Sequence, residues 1–230
     1  MISVVTGTLD RAELLVKLFY NVLANADNTE LVLVDGGSTD DTKRVVIEAM
    51  ARWPGRVKAV WVGARSPYAH YMNLGVHAAS SNLICQWNDD ALLLEPGWRE
   101  IEKIVDAQKQ FAVFPFSWAL DDGTKKYEWQ MLVYPEKREV VVNYGIYRRE
   151  VFRKCGLYSM DYQYYCADGD MCYRAWRGGF QIYPMFEARV VTPKGLAKRA
   201  RYTDRDALIY EEHKAMYDKG IYPENTEWLE

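Results

Sequence analysis

Short apolar runs and helical patterns alternate through the first 90 residues of the chain. The runs have the length and the β-branched content of buried strands, whereas the segments between them repeat apolar residues at helical spacing. This β-α-β-α-β-α-β order indicates an α/β architecture, a parallel sheet flanked by helices with ligands at the carboxyl ends of the strands. The predicted strands are residues 2–6, 31–34, 57–62 and 83–87, and the predicted helices lie near 14–22, 45–50 and 68–79.

The second half of the chain has a different pattern. No repeat, low-complexity tract or long linker divides it from the first half, so we expect one large domain with a C-terminal helical extension. The expected elements are a helix at 97–110, a strand at 111–118, a hairpin with arms at 126–133 and 138–142, short helices at 148–155 and 168–178, and short strands within 179–191.

The composition fits a globular protein and excludes several classes. The chain has 230 residues, of which 49% are apolar, enough for a full hydrophobic core. A net charge of -3 argues against a general nucleic-acid binder. The opening residues lack the features of a signal peptide, and no window approaches a membrane span, so we expect a cytoplasmic protein. Four cysteines without a Cys-x-x-Cys pair are expected to be reduced packing residues: Cys85, Cys155, Cys166 and Cys172.

Two adjacent carboxylates, Asp89 and Asp90, directly follow the apolar run at 83–87. They come where an α/β sheet places its ligand, at the carboxyl end of a strand. Neighbouring carboxylates repel each other unless a cation lies close, so the pair indicates Mg²⁺ or Mn²⁺ and a metal-bound diphosphate. The alternative is structural, because Asn88-Asp89-Asp90 also suits a turn followed by a helix N-terminus.

Five motifs follow one another along the chain. They are Ser3-Val4-Val5-Thr6; the segment 30–40 with Asp35-Gly36-Gly37-Ser38; Asn73-Leu74-Gly75 followed by Asn88-Asp89-Asp90; the segment 145–152; and Ala167-Asp168-Gly169-Asp170 followed by Gly179-Phe180. In this order they resemble the motifs of the family 2 glycosyltransferases of the GT-A fold, over about residues 2–191.

The resemblance implies a Rossmann-like mixed sheet and an enzyme that moves a sugar, with inversion, from a nucleotide-sugar donor to a hydroxyl of a glycan or lipid-linked acceptor. It assigns residues 1–90 of a 1–193 domain to the nucleotide sugar and 91–193 to the acceptor, followed by a basic segment and helix at 194–230. Asp90 would hold Mn²⁺ or Mg²⁺, and Asp168 would be the general base. The implied nucleotide-sugar-binding residues are Thr6, Asp35, Asn73 and Asp89.

Two of these residues have structural alternatives. The carboxylate of Asp35 would serve equally well to cap the Gly36-Gly37 turn. Asp168 and Asp170 would also stabilise the N-terminus of a helix, a structural role that Asp170 is expected to keep in either case.

Three positions depart from the family pattern. Gly36 stands where Asp is frequent, Ala167 where Glu is usual, and Thr192-Pro193 where many members have a metal-binding His. His213, on the predicted C-terminal helix, is expected to be a packed or exposed residue rather than a ligand. These departures support an alternative function, a non-catalytic nucleotide- or carbohydrate-binding module that retains the fold.

Two further groups of residues are candidates for substrate contacts. Lys198, Arg199 and Arg201 belong to a basic run that would form a lid over the donor diphosphate, make a peripheral membrane contact through an anionic lipid carrier, or simply face water. Aromatic residues are candidates for the walls of an acceptor site, with core packing as the alternative. They are Trp118, Tyr127, Trp129, Tyr158, Tyr162, Tyr164 and Tyr165.

Overall fold

The computed structural model describes residues 1–134, 139–193 and 200–222, and its strands and helices alternate as the sequence predicts. The strands are β1 (Ile2–Thr8), β2 (Thr29–Asp35), β3 (Val57–Trp61), β4 (Leu83–Gln86), β5 (Leu92–Glu95), β6 (Phe111–Asp121), β7 (Leu132–Tyr134), β8 (Glu139–Val141), β9 (Gly145–Arg148), β10 (Gln181–Ile182) and β11 (Met185–Pro193). The helices are α1 (Ala12–Phe19), α2 (Thr42–Arg52), α3 (Tyr68–Ala78), α4 (Trp98–Ala107), α5 (Arg149–Cys155), α6 (Ala167–Arg177) and α7 (Ala200–Tyr217), and a π-helical turn, Tyr20–Ala24, extends α1.

Nine of the described strands form one mixed sheet in the order β3-β2-β1-β4-β9-β6-β11-β5, with β10 also paired to β6. The first four strands of the chain are parallel, and β1 lies between β2 and β4. The order therefore reverses at β1, and this switch point is where α/β sheets leave a crevice at the carboxyl ends of their strands. On the other side of β4, β9 runs antiparallel to both β4 and β6.

Helices cover both faces of the sheet. The first face packs apolar side chains such as Leu15 of α1, Val46 of α2 and Trp98 of α4. The opposite face packs Met72 of α3 and Phe152 of α5 together with apolar residues of α6. Strands buried on both faces are rich in apolar residues, which explains why β1 and β2 are recognisable in the sequence.

α3 approaches β1 closely because residue 75 is a glycine. A Cβ atom at Gly75 would overlap the Cγ1 of Val5, so a larger residue would push the helix away from the sheet. The glycine of the Asn73-Leu74-Gly75 motif thus sets the distance between helix and sheet, and it places the start of α3 over the carboxyl end of β1.

The structure confirms the α/β class and corrects two details. β5, between the Asp pair and α4, was not predicted as a strand; it pairs antiparallel with β11 at one edge of the sheet. The predicted hairpin arm at 126–133 is mostly not a strand, since β7 begins only at Leu132, and the turn at 135–138 lies outside the described residues. The division of the chain at residue 193 stays a prediction.

None of the helices in the described part of the chain is long and apolar enough to cross a membrane. All four cysteines have free thiols, and Cys85, Cys155 and Cys172 are buried in the core, as expected for packing residues.

Candidate active site

A cleft of about 380 Å³ opens at the switch point of the sheet. Its volume falls within the range of small-molecule binding sites. The walls come from the end of β1 and the turn after it (residues 6–9 and 11), the loop after β3 with the start of α3 (65, 66, 68 and 71), the loop after β4 (88–90), and Tyr164 before α6. The predicted site residues Thr6, Asp89 and Asp90 are therefore brought together.

Asp89 and Asp90 form the wall between this cleft and a smaller cavity of about 210 Å³. The Thr8 hydroxyl donates a hydrogen bond of 2.9 Å to Oδ2 of Asp89. Burial nevertheless raises the pKa of Asp89 to about 6, and the neighbouring charge of Asp90 adds to the shift. The Thr192 hydroxyl donates a longer bond, 3.3 Å, to Oδ1 of Asp90. The two carboxylates thus carry negative charge that their neighbours compensate only in part.

These residues fit a divalent ion that takes many of its ligands from outside the protein. Hard cations prefer carboxylate oxygens, and Mg²⁺ is commonly bound by one or two carboxylates plus substrate phosphates and water. Within residues 1–134, 139–193 and 200–222, no cluster of three His, Cys, Asp or Glu side chains is placed to hold a metal alone. Thr192, at the position where many family members have a His, contacts Asp90 instead.

Two arginines that the sequence interpretation missed line the same cleft, Arg11 and Arg65. The charge of Arg11 acts on Asp89 and lowers its pKa, although burial outweighs it. The guanidinium of Arg65 lies 5.7 Å from the ring centre of Tyr164, a cation–π distance. Both arginines follow shortly after a strand, β1 or β3, and this position was the available signal. They place positive charge where phosphate oxygens would bind.

Asp168, the predicted general base, lies in the first turn of α6 and is half-buried. Burial raises its pKa, against a 2.9 Å hydrogen bond from the Gly169 N–H. Burial raises the pKa of Tyr144 as well, and the charges of Asp90 and Asp168 both add to that shift. Burial and the charges of nearby groups, Asp168 among them, likewise raise the pKa of Tyr68 in the cleft wall.

Asp170 has entirely different surroundings, although it is only two residues from Asp168. Its Oδ2 accepts a hydrogen bond of 2.9 Å from Nε of Arg174, and its Oδ1 accepts bonds from the hydroxyls of Tyr162 and Tyr217 at 2.9 and 2.5 Å. Nδ1 of His213 lies 3.1 Å from the same Oδ1. This buried network ties α6 to α7 and gives Asp170 a structural role, although through contacts between helices rather than at the helix N-terminus that was expected. His213 is packed, one of the two positions expected for it.

The structure gives Asp35 the contacts of its structural alternative. Its Oδ2 accepts hydrogen bonds from the backbone N–H groups of Gly37 and Ser38 at 3.0 and 3.1 Å, and the Ser38 hydroxyl donates to Oδ1. Gly37 adopts φ +88°, and a Cβ there would lie 2.7 Å from the carbonyl of Gly63. Asp35 thus caps a tight turn, and a direct contact with the nucleotide stays a prediction.

The side chain of Asn73 also forms hydrogen bonds with the backbone. Its Nδ2 donates a hydrogen bond of 2.9 Å to the carbonyl of Tyr158, and its Oδ1 accepts one of 2.9 Å from the N–H of the same residue. The residue joins α3 to the segment before α6 and is not among the described residues that line the cleft. Its predicted role in nucleotide-sugar binding is untested by this geometry.

The structure tests the aromatic candidates for the acceptor site but not the candidate lid. Lys198 and Arg199 lie outside the described residues, and Arg201 belongs to α7 with its side chain likewise outside. Of the aromatic candidates, Tyr158 and Tyr162 are buried in the core, whereas Tyr164 lines the cleft. The lid therefore stays a prediction, and core packing is the correct reading for at least two of the tyrosines.

Several solved structures share the fold of this chain. The mannosyltransferase PcManGT from Pyrobaculum calidifontis, in complex with GDP-Man and Mn²⁺, aligns with a TM-score of 0.69 and 18% identity, over 96% of this chain and 65% of that chain. Glucosyl-3-phosphoglycerate synthase from Mycobacterium tuberculosis, in complex with Mn²⁺, UDP-Glc and phosphoglyceric acid, aligns at 0.67 and 15% identity, over 97% and 81%. TarS from S. aureus aligns at 0.66 and 15% identity, over 84% and 36%. The GT-A fold expected from the sequence is confirmed.

The chain belongs to glycosyl transferase family 2, because the model of that family matches residues 3–168. This confirms the family indicated by the five motifs, and with it the class of glycosyltransferases. A search of curated protein sequences finds no match. The chain spans 36% of the length of TarS and 65% of the length of PcManGT, so the activities of those whole proteins are not transferred to it directly.

Proposed function

We propose that the protein transfers a sugar from a nucleotide-sugar donor to a hydroxyl acceptor, and that the donor binds in the cleft at the switch point. The observation that carries this proposal is the pairing of Asp89 and Asp90 with Arg11 and Arg65 around one cleft. Carboxylates and guanidinium groups together suit a ligand that brings both a cation and phosphate oxygens.

A divalent ion bound at this site would neutralise the negative charge that develops on the departing diphosphate. Asp90 would hold the ion, and Asp89 would contact it through water or bind the ribose. Arg11 and Arg65 would add fixed positive charge beside the phosphates. Mn²⁺ or Mg²⁺ suits these oxygen ligands equally well, and the Mn²⁺ in two related structures supports the proposal.

Asp168 would take the proton of the acceptor hydroxyl as its oxygen attacks the anomeric carbon. The new C–O bond then forms as the bond to the diphosphate breaks, and the leaving group departs with the electron pair. One displacement of this kind inverts the anomeric centre and needs one base without a protein nucleophile. The pKa of Asp168 is raised, and no counter-ion is among the contacts described for it. Both features are more typical of a proton acceptor than of a structural carboxylate.

The relatives support the class of substrates proposed here. Their solved complexes contain GDP-Man, UDP-GlcNAc or UDP-Glc, and one holds phosphoglyceric acid as well. For this chain we propose a nucleotide-sugar donor and a glycan or lipid-linked acceptor, with no nucleic-acid partner. A cytoplasmic location with a peripheral membrane contact, through the basic run at 194–205, stays part of the proposal.

A donor-hydrolysis screen tests the function. Nucleotide sugars would be incubated with the protein and Mn²⁺ or Mg²⁺, and release of nucleoside diphosphate measured. We expect hydrolysis of one donor that chelator abolishes and that Asp90→Ala removes. Asp106→Ala is the matched control, because Asp106 is exposed on α4 and does not line the cleft. Binding of a nucleotide sugar without hydrolysis or transfer to any acceptor would support the alternative, a binding module in which Thr192 replaces a metal ligand.

A further inference from the structure

Tyr71 of α3 reaches over the carboxyl ends of both β1 and β2. A Cβ atom built on Gly7, in β1, would lie 2.9 Å from Cδ2 of Tyr71. A Cβ built on Gly36, just after β2, would overlap the Tyr71 hydroxyl and lie 3.1 Å from its Cζ. These distances are too short for real side chains, so the two glycines leave the space that the tyrosine ring occupies.

The ring therefore takes the place of a side chain at position 36. Asp35, the neighbouring carboxylate, is directed into its own turn by the N–H groups of Gly37 and Ser38. Neither residue 35 nor residue 36 thus presents a carboxylate to this end of the cleft. Tyr71 itself lines the cleft and is half-buried.

The hydroxyl of Tyr71 accepts one hydrogen bond, and its own O–H is available to donate another. It accepts a hydrogen bond of 2.6 Å from the backbone N–H of Ser66. No hydrogen bond donated by Tyr71 occurs among the described residues. Tyr71 thus contributes to the lining of the cleft a hydroxyl whose position is fixed by the Ser66 N–H.

We propose that Tyr71 is the residue that recognises the nucleobase of the donor. The inference rests on the proposed function, and it goes further by assigning the base end of the cleft. The ring would pack against the base, and the O–H would donate to a carbonyl oxygen of it. Uracil, thymine, cytosine and guanine have such a carbonyl, whereas adenine has only ring nitrogens as acceptors. A donor that carries adenine would place no carbonyl oxygen at the hydroxyl and would be disfavoured.

Calorimetry with nucleoside diphosphates tests this assignment. UDP, TDP, GDP, CDP and ADP would be titrated with Mg²⁺ into the wild-type protein, into Tyr71→Phe and into the control Tyr20→Phe, whose tyrosine is exposed outside the cleft. Pyrophosphate with Mg²⁺ serves as the ligand without a base. We expect a carbonyl-bearing base to bind best, and its affinity to fall about threefold to tenfold in Tyr71→Phe, as for a lost hydrogen bond. Pyrophosphate affinity should not change.

A double-mutant cycle separates recognition from folding. In the wild-type background, Gly36→Ala should weaken the binding of the preferred nucleoside diphosphate, because the new Cβ displaces the Tyr71 hydroxyl. The same change should cost less in Tyr71→Phe, which has no hydroxyl to displace. Strictly additive losses would contradict the proposal.

The outcomes distinguish this inference from the proposed function. If no nucleoside diphosphate binds the wild-type protein, the proposed function fails and the base assignment falls with it. If a nucleoside diphosphate binds, either of two results overturns only the assignment of Tyr71. The first is that Tyr71→Phe weakens the binding of pyrophosphate as much as that of the diphosphate, and the second is that ADP binds as tightly as the other diphosphates.

Discussion

The cleft and the junction between α6 and α7 both bury carboxylates, and they treat the charge in opposite ways. Burial raises the pKa of Asp89, in the wall of the cleft, to about 6. It also raises the pKa of Asp168 at the start of α6, which is not among the described residues that line the cleft. Burial alone would raise the pKa of Asp170 too, but the Arg174 guanidinium and hydrogen bonds from His213 and Tyr217 hold it below its ordinary value. The carboxylates in and near the cleft therefore have negative charge that a ligand can neutralise. The charge of Asp170 at the junction is already neutralised by the contacts that hold the two helices together.

Asp206 of α7 extends the junction toward the cleft. Its side chain is fully buried, and its carboxylate accepts hydrogen bonds from the backbone N–H groups of Gln163, Tyr164 and Tyr165 at 3.1, 2.8 and 2.9 Å. Tyr164 in turn lines the cleft. The satisfied carboxylates of the junction thus fix the segment on which one wall of the cleft depends.

The largest effect is expected from Asp170→Asn. Removing this charge leaves Arg174 buried without a counter-ion, which should lower the free energy of unfolding by about 3–5 kcal/mol. Chemical denaturation measures the change. Asp41→Asn is the control, because its ion pair with Arg44 is on the surface, and it should cost less than about 1 kcal/mol. Equal losses in the two variants would remove the distinction between the junction and the surface.

Asp206→Asn should have an intermediate effect. The amide group replaces one of the two oxygens that face three N–H donors, so we expect a loss of about 1–3 kcal/mol in stability. The segment 163–165 should also exchange its amide protons faster, and the donor KM should rise. Asp204→Asn is the matched control, since Asp204 is exposed on the same helix. A stable variant with unchanged amide exchange would show that Asp206 does not position the cleft wall.

The pH dependence of activity and that of folding should separate. Asp168 must be ionised to accept a proton, so kcat/KM should fall as pH drops through its folded pKa, which is above the ordinary value of about 3.9. The stability that Asp170 contributes is present above its unfolded pKa and is lost only as pH falls through its lowered folded pKa. Activity should therefore disappear at a pH where circular dichroism still shows a folded protein. Simultaneous loss of both would contradict the comparison.

The sequence was sufficient for those parts of the molecule that depend on local pattern. β2 contains the continuous apolar run 31–34 and β1 the apolar residues Ile2, Val4 and Val5. Asp89, Asp90 and Asp168 stand in motifs of fixed order. The residues it did not reveal are brought together only by folding: Arg11, Arg65 and Tyr71 come from three separate segments that meet over β1. The position of the two arginines shortly after β1 and β3 was the available signal, but spacing along the chain does not show that the three residues line one cleft.

Asp35 and Asp206 are structural residues whose partners the sequence alone does not reveal. A carboxylate after a strand suits either a ligand or its own turn, and only the N–H groups of Gly37 and Ser38 decide between them. The partners of Asp206 lie more than 40 positions away in the chain, as the separation of 41 from Tyr165 shows. Long-range hydrogen bonds of this kind have no periodicity that a single sequence can display.

We propose that Asp168 is kept for chemistry at the expense of stability, and the variant Asp168→Asn, measured in two ways, tests this proposal. In Asp168→Asn, donor turnover and the free energy of unfolding would be determined at neutral pH. We expect turnover to fall about 100-fold or more with little change in donor affinity, because the base is lost and its shape is kept. We expect stability to be equal or higher, because a half-buried carboxylate whose pKa is raised by its surroundings has been removed. Near-normal turnover, or a loss of stability comparable to that of Asp170→Asn, would contradict the account.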